Sequence, residues 1–211
     1  MRLTKLEHAC LIVEESGRRL VIDPGGFTSP LVGLHDVDVV VITHEHGDHW
    51  SPDQLREILA TSPGALIVGP PGVATAAADF TVQTVAEGDT IEVGPFTLAF
   101  AGSRHAVIHE SLPVIDNVGV LVNGRLFYPG DALTVPGFPV DTLAVPVGAP
   151  WLKISEAMDY VTAVIPARTF PTHEGTLSEV GLRSHADRIK GATEALGSEA
   201  LLLRPHESVE L

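Results

Sequence analysis

Val37-Asp38-Val39-Val40-Val41-Ile42-Thr43-His44-Glu45-His46-Gly47-Asp48-His49-Trp50-Ser51-Pro52-Asp53-Gln54 decides how this chain folds. Its opening, from Val37 to Ile42, is short and dominated by β-branched residues, which predicts a buried strand. Its close opens a helix. Ser51 is a good N-cap, Pro52 suits the first helical position, and Gln54 completes a capping box. Between strand and helix lie His44, His46, Asp48 and His49, in the spacing H-x-H-x-D-H. Neutral imidazole and carboxylate suit zinc, manganese or iron. Four such groups are too many for one tetrahedral ion that also keeps a water, so the simplest reading is two neighbouring ions sharing one turn. The competing reading is a polar surface turn that happens to be rich in histidine. Only ten histidines occur in 211 residues and three of them fall here, which weighs against it.

Composition sets the outer bounds. A chain of 211 residues fits one domain, 1–211, with a sizeable core. Its 20 glycines and 16 prolines point to many short strands and tight loops rather than a helical bundle. The formal net charge of −14 repels phosphate backbones, which argues against nucleic acid as a partner. Bound divalent cations would offset that charge locally, so an anionic small substrate stays within reach. The single cysteine, Cys10, excludes an internal disulfide and lies in the apolar run Ala9-Cys10-Leu11-Ile12-Val13, where a buried structural thiol is expected. The residues from Met1 to His8 lack a signal-peptide core, and no uncharged apolar stretch approaches the roughly 20 residues of a membrane span. The expectation is a soluble cytoplasmic protein with no membrane partner.

Strands are expected at His8 to Glu14, Arg18 to Asp23, Ala65 to Gly69, Thr81 to Val85, Thr90 to Val93 and Phe96 to Ala101. Asn117 to Val122 and Arg125 to Tyr128 flank Asn123-Gly124, a strong hairpin signal. Thr142 to Val147 and Leu201 to Arg204 complete the strands. Helices are expected at Pro70 to Phe80 and Ser155 to Val161, and from a capping box at Thr176-Leu177-Ser178-Glu179 to about Leu196. Strands apolar on both faces must be covered on both faces. Hairpins with interspersed helices then suggest an αββα sandwich of two mixed β-sheets with helices on the outer faces.

Two ions need more ligands than one turn supplies, and three further strand ends carry a side chain of the right type. His105 follows the strand Phe96 to Ala101. Asp131 projects beyond Tyr128-Pro129-Gly130, and His173 lies in Pro171-Thr172-His173-Glu174-Gly175. Each alone reads as a turn residue or a solvated histidine. The cluster from His44 to His49 reverses that, because it creates an unfilled demand for ligands on the loop rim.

The order H-x-H-x-D-H, a histidine after a strand, Gly130-Asp131-Ala132 and a late histidine resembles the metallo-β-lactamase superfamily. The resemblance is strongest to its branch of metal-dependent hydrolases similar to ascorbate-6-phosphate lactonase. His8 near the start, Val21-Ile22-Asp23-Pro24, Pro146-Val147-Gly148 and Pro171-Thr172-His173 also look like that branch. The resemblance implies a first metal held by His44, His46 and His105, and a second held by Asp48, His49 and His173, with Asp131 bridging. It implies that Asp23 supports ligands without touching metal. It also implies hydrolysis, since members running oxygen chemistry on two irons typically carry a carboxylate where this chain has His46. His105 and His109 lie four apart, which leaves the third ligand of the first metal open between them.

Two divalent ions, zinc first with manganese or iron as alternatives, would lower the pKa of a shared water toward about 7. The resulting metal-bound hydroxide would attack a small ester, lactone or phosphodiester. Asp48 would hold metal and orient the hydroxide, and His109 would contact substrate or move a proton. Trp151 should border the pocket, as a substrate-stacking ring or as a plug at the edge of the core. His8 and His35 carry no assigned role, and His185 and His206 are expected to be solvated. Two alternatives stay open: an iron-dependent oxidoreductase resembling sulfur dioxygenases, and a metal-binding module without turnover.

Overall fold

The computed structural model describes all 211 residues. Strands β1 (Arg2–Lys5), β2 (Leu11–Glu15), β3 (Arg18–Ile22) and β4 (Val37–Val41) precede helix α1 (Pro52–Thr61). β5 (Leu66–Gly69), α2 (Pro71–Ala76) and β6 (Val82–Thr84) complete the first half. The second half runs β7 (Thr90–Val93), β8 (Phe96–Ala101), β9 (Gly119–Val122), β10 (Leu126–Tyr128), β11 (Thr142–Pro146), α3 (Ile154–Val164), β12 (Arg168–Thr172), α4 (Glu179–Ala195), β13 (Glu199–Ala200) and β14 (Ser208–Glu210).

These strands form two seven-stranded sheets, in the orders β14-β1-β2-β3-β4-β5-β6 and β13-β12-β11-β10-β9-β8-β7. Each sheet changes character at one strand. Pairing is antiparallel up to β3 and parallel from β3 to β6. In the second sheet it is antiparallel from β7 to β10 and parallel from β10 to β13. The inner faces meet in one core of aliphatic and aromatic side chains, including Leu11, Leu20, Val39, Phe100, Val120 and Tyr128. Alternate residues point outward. Val21, Val40 and Ile42 pack with Leu55 and Ile58 of α1, while Leu143 and Val145 pack with Tyr160 and Val161 of α3. Both faces of both sheets are covered, as the doubly apolar strands require. No helix is long and apolar enough to cross a membrane.

Several boundaries differ from expectation for identifiable reasons. The strand expected from His8 begins only at Leu11, because residues 6–10 close a turn with Leu6 N–H bonded to the Cys10 carbonyl at 2.9 Å. His8 is thereby left at a positive φ of 58°. Helix α2 stops at Ala76, and a further turn from Phe80 N–H to the Ala77 carbonyl directs the chain into β6 beside β5. Helix α4 is capped by Ser178, whose Oγ accepts Gly181 N–H at 3.2 Å, and not by Thr176, which bonds the Gly148 carbonyl instead. Ser51 caps α1 as expected, but Gln54 does not close the box. Its side chain accepts Leu31 N–H and donates to the Thr28 carbonyl, each at 3.0 Å. Leu201 to Arg204 is not a strand; the edges are β13 and β14, and β14 pairs with β1 across nearly the whole chain.

The architecture delivers the loops that leave β3, β4, β8, β10, β11 and β12 to one rim. The exit from β3 is docked tightly there. Gly26 N–H donates to the Gly47 carbonyl at 2.8 Å, and a Cβ on Gly25 would stand 1.7 Å from the Asp48 carbonyl oxygen. Backbone cannot yield to that approach without moving the turn. Gly25→Ala is therefore expected to destabilise the fold by about 2–3 kcal/mol and to impair binding of added zinc. Chemical denaturation with a zinc titration checks both.

Candidate metal centre

Strand β4 ends at Val41, and Thr43 begins the turn that carries His44, His46, Asp48 and His49. The turn is closed by His49 N–H to the His46 carbonyl at 3.0 Å and by Trp50 Nε1–H to the Glu45 carbonyl at 3.0 Å. Facing it, Asn117 clamps the exit of β10. Its Oδ1 accepts Asp131 N–H at 3.0 Å and its Nδ2 donates to the Pro129 carbonyl at 2.9 Å. Asn117 is fully buried. Sequence reasoning placed it only as the start of a strand; its side chain in fact fixes where Asp131 points.

The seven expected ligand residues converge in two adjoining nests, and a residue without an assigned role joins them. His44, His46, His105 and Asp131 form one; Asp48, His49, His173 and His8 form the other. Within each nest the candidate ligand atoms lie within 4.8 Å of one another. Asp131 reaches both, with Oδ2 3.4 Å from His105 Nε2 and Oδ1 3.2 and 3.0 Å from Nε2 of His49 and His173. His109 stands apart. It is exposed, and its Nδ1 is occupied by Ser111 Oγ at 2.8 Å and Ser111 N–H at 3.2 Å. Between the two histidines four apart, the geometry therefore selects His105 for the nest. His185, expected in solvent, is half-buried and bonds the Val147 carbonyl at 2.6 Å, whereas His35 and His206 are exposed.

The ring orientations test whether a cation fits. A neutral imidazole has one hydrogen and one lone pair, and whichever nitrogen faces an acceptor must carry the hydrogen. His49 Nδ1 faces Asp23 Oδ2 at 2.6 Å, His173 Nδ1 faces the Gly148 carbonyl at 2.7 Å, and His105 Nδ1 faces the Ala106 carbonyl at 2.5 Å. His44 Nδ1 faces Thr43 Oγ at 3.1 Å, and that hydroxyl spends its only hydrogen on Asp23 Oδ2 at 2.7 Å. In their neutral form, four rings thus turn a lone pair on Nε2 inward. His49 and His173 confront each other at 3.0 Å with Asp131 Oδ1 beside them, and both His105 Nε2 and Asp131 Oδ1 are buried without a hydrogen-bond partner. Electron-rich atoms at such separations need positive charge between them, as a shared proton or as a metal cation. The residues fit divalent metal, with histidine ligands oriented from behind by carbonyl and carboxylate.

Electrostatics agrees. Burial opposes charge on Asp131, but the facing His49 and His173 outweigh it and hold the carboxyl well below its ordinary value. Burial also opposes charge on Asp48, yet the bond from His8 and the nearby His49 and His173 bring it to about 2. Burial, then the neighbouring His49, keeps His44 well below the usual imidazole value, and burial with His105 lowers His46. His49 moves the other way. Burial pulls it down, but Asp131 and Asp23 together raise it well above the ordinary value.

Loops from strand ends that gather imidazoles and carboxylates into two linked nests define an αββα protein built around divalent metal. The chain belongs to the β-lactamase superfamily: the profile described as "Beta-lactamase superfamily domain" matches residues 2–173. Rv0786c of Mycobacterium tuberculosis is 40% identical over 183 residues, spanning 84% of this chain and 86% of that one. The UPF0173 metal-dependent hydrolase MK1542 of Methanopyrus kandleri is 29% identical over 234 residues, spanning 100% of both chains. Among solved structures, Igni18 of Ignicoccus hospitalis, described as a metallo hydrolase, superposes with a TM-score of 0.75 at 21% identity. It covers 99% of this chain and 97% of its own, a likeness of fold.

The raised His49 has a measurable consequence. Asp131 and Asp23 favour a second proton on the ring in the metal-free protein, and a cation on Nε2 must displace any proton held there. Zinc uptake is expected to release protons, seen as a binding heat that varies with the ionisation enthalpy of the buffer. A buffer-independent heat would contradict the arrangement.

Proposed function

We propose that this protein is a hydrolase that holds two divalent ions, zinc first, and cleaves a small ester, lactone or phosphodiester. His44, His46 and His105 would hold one ion, Asp48, His49 and His173 the other, with Asp131 shared. The observation that carries this reading is the set of four pinned imidazoles converging on one buried carboxylate. The naming of the Methanopyrus kandleri relative as a metal-dependent hydrolase supports it. An imidazole at His46, in place of a carboxylate, supports hydrolysis over oxygen chemistry.

Divalent ions bound there supply Lewis acidity and lower the pKa of water toward about 7. The chain's own residues supply position. Asp48, with a quarter of its side chain exposed, is the carboxylate that opens to solvent, and its lowered pKa keeps it an acceptor able to orient an attacking water. Trp151 Nε1–H holds Asp131 Oδ2 at 2.9 Å, so the ring sits against the nests and is not merely a plug. Trp151 also lines a cavity of about 470 Å³ with Val107, Ile108, Leu133, Leu152, Lys153 and Glu156, a mixture of apolar and polar walls. The cation at its rim, Lys153, stands 3.7 Å from Glu156. Such mixed walls can receive the apolar part of an ester or lactone. His109 lies in the exposed loop that follows this wall, placed to touch a bound substrate only from outside the nests.

Paired variants test the assignment. His105→Ala should lose the first ion and all hydrolysis, while His109→Ala keeps both ions and changes rate or preference at most. Asp131→Asn should weaken at least one ion, since a neutral amide cannot offset two cations, and lower turnover by orders of magnitude. Metal analysis alongside a screen of esters, lactones and phosphodiesters reads these outcomes. Wild-type protein that takes up no metal, or a His109→Ala variant that loses it, would overturn the reading.

A further inference from the structure

His8 lies in the second nest, yet its ring is wired in the opposite sense to the rings around it. Its Nδ1 faces a donor, the backbone N–H of Gly175, at 3.0 Å. A nitrogen that accepts a hydrogen bond carries no hydrogen, so the ring's hydrogen sits on Nε2. That Nε2 points at Asp48 Oδ2, 3.1 Å away. When neutral, His44, His49, His105 and His173 each turn a lone pair inward; His8 turns an N–H inward. We propose that His8 is not a metal ligand but the positioning residue of Asp48, an inference that rests on the dinuclear reading above.

The surroundings are built to hold that tautomer. A Cβ on Gly175 would stand 2.8 Å from His8 Nδ1, so only glycine lets the donating backbone approach this closely. The His8 carbonyl accepts His173 N–H and Thr172 Oγ–H, both at 2.9 Å, and His8 N–H donates to Glu174 Oε1 at 3.3 Å. Glu174 is in turn paired with the buried Lys5 at 2.5 Å. The loop from Thr172 to Gly175 therefore grips the turn at its carbonyl, its amide and its ring. The ring itself is fully buried, with its centroid 3.9 Å from that of the His173 ring at a tilt of 48°.

The gripped hydrogen bond acts on one particular oxygen. Asp48 Oδ2 is also the atom of that carboxylate which stands 3.7 Å from His173 Nε2 and 4.0 Å from His49 Nε2. A carboxylate oxygen has two lone-pair directions. The His8 N–H takes one and leaves the other aimed into the nest. Without it, a half-buried aspartate on a turn is free to rotate toward solvent. His8 thus does for Asp48 what Asp23 does for His49, with the roles of acid and imidazole exchanged.

The test uses the full chain and three proteins: wild type, His8→Ala and His8→Gln. The glutamine amide nitrogen reaches the place of Nε2 and donates as it does, but is a poor metal ligand. Zinc affinity is read by competition with a chromophoric chelator. His8→Ala is expected to weaken the more loosely held ion by about 10–100-fold, and His8→Gln to restore it to within about threefold of wild type. Equal losses in both variants would make His8 a ligand, and unchanged affinity in His8→Ala would make it purely structural; either overturns the inference. Long-range proton–nitrogen NMR on histidine-labelled wild type is independent of how the variants fold. Hydrogen on His8 Nε2, in metal-free and zinc-loaded protein alike, is expected, and hydrogen on Nδ1 refutes it. Failure of the dinuclear reading shows differently, as wild-type protein that takes up no zinc while the metal-free spectrum still reports the His8 tautomer.

Discussion

The site hangs on one buried carboxylate. Asp23, completely shielded from solvent, accepts Thr43 N–H at 2.8 Å, Thr43 Oγ–H at 2.7 Å and His49 Nδ1 at 2.6 Å. A charge in such a place is costly unless each lone pair is engaged. Here the engagement does three things together. It fastens the end of β3 to the turn after β4, it settles the hydrogen of His49, and through the Thr43 hydroxyl it settles that of His44. Asp23 and Asp131 also hold related positions, each a short step beyond the strand at which its sheet changes from antiparallel to parallel pairing. One works from behind the imidazoles and the other from in front. Ligand sites in sheets with parallel strands favour such switch points, where neighbouring loops diverge and leave a crevice.

Much of this was legible in the residues. Short β-branched runs bounded by glycine and proline located most strands, and β7 and β8 fell on their expected limits. The strand-turn-helix around His44 to His49 was readable because its signals are local: a β-branched run, an N-cap and a proline in the first helical turn. Apart from His8, the remaining members of the two nests were readable because each follows a strand end. What stayed hidden depends on contacts between distant parts of the chain. The pairing of β14 with β1, the capture of Gln54 by the loop at Thr28 to Leu31, and the clamp by Asn117 are all of this kind. Gln54 shows the competition directly, since a capping-box residue was diverted by buried backbone groups with no other partner.

The histidine that escaped assignment shows a different limit. His8 sits in what read as the start of a strand, and nothing in the local pattern marks the turn that withdraws it. Its positive φ is shared by Asp23, at 48°, and His173, at 62°. Backbone in this region is unfavourable for residues with a Cβ and persists only where surroundings over-determine it. The concentration of three such residues around one carboxylate nest marks where the fold spends stability on geometry. Ring nitrogens and their tautomers were likewise beyond reach, because each is set by a carbonyl, amide or carboxylate brought from elsewhere.

The groups around the metal centre are drawn from almost the full span of the chain, from His8 on the first turn to His173 beyond β12. During synthesis, the turn of His44 to His49 emerges about 120 residues ahead of its last partner, His173. An ion met by that turn alone finds an incomplete coordination shell and exchanges freely with its surroundings. The second nest is complete only when the loop from Thr172 to Gly175 closes over His8. The two nests are therefore completed at different points of synthesis, the first once Asp131 has emerged and the second with His173.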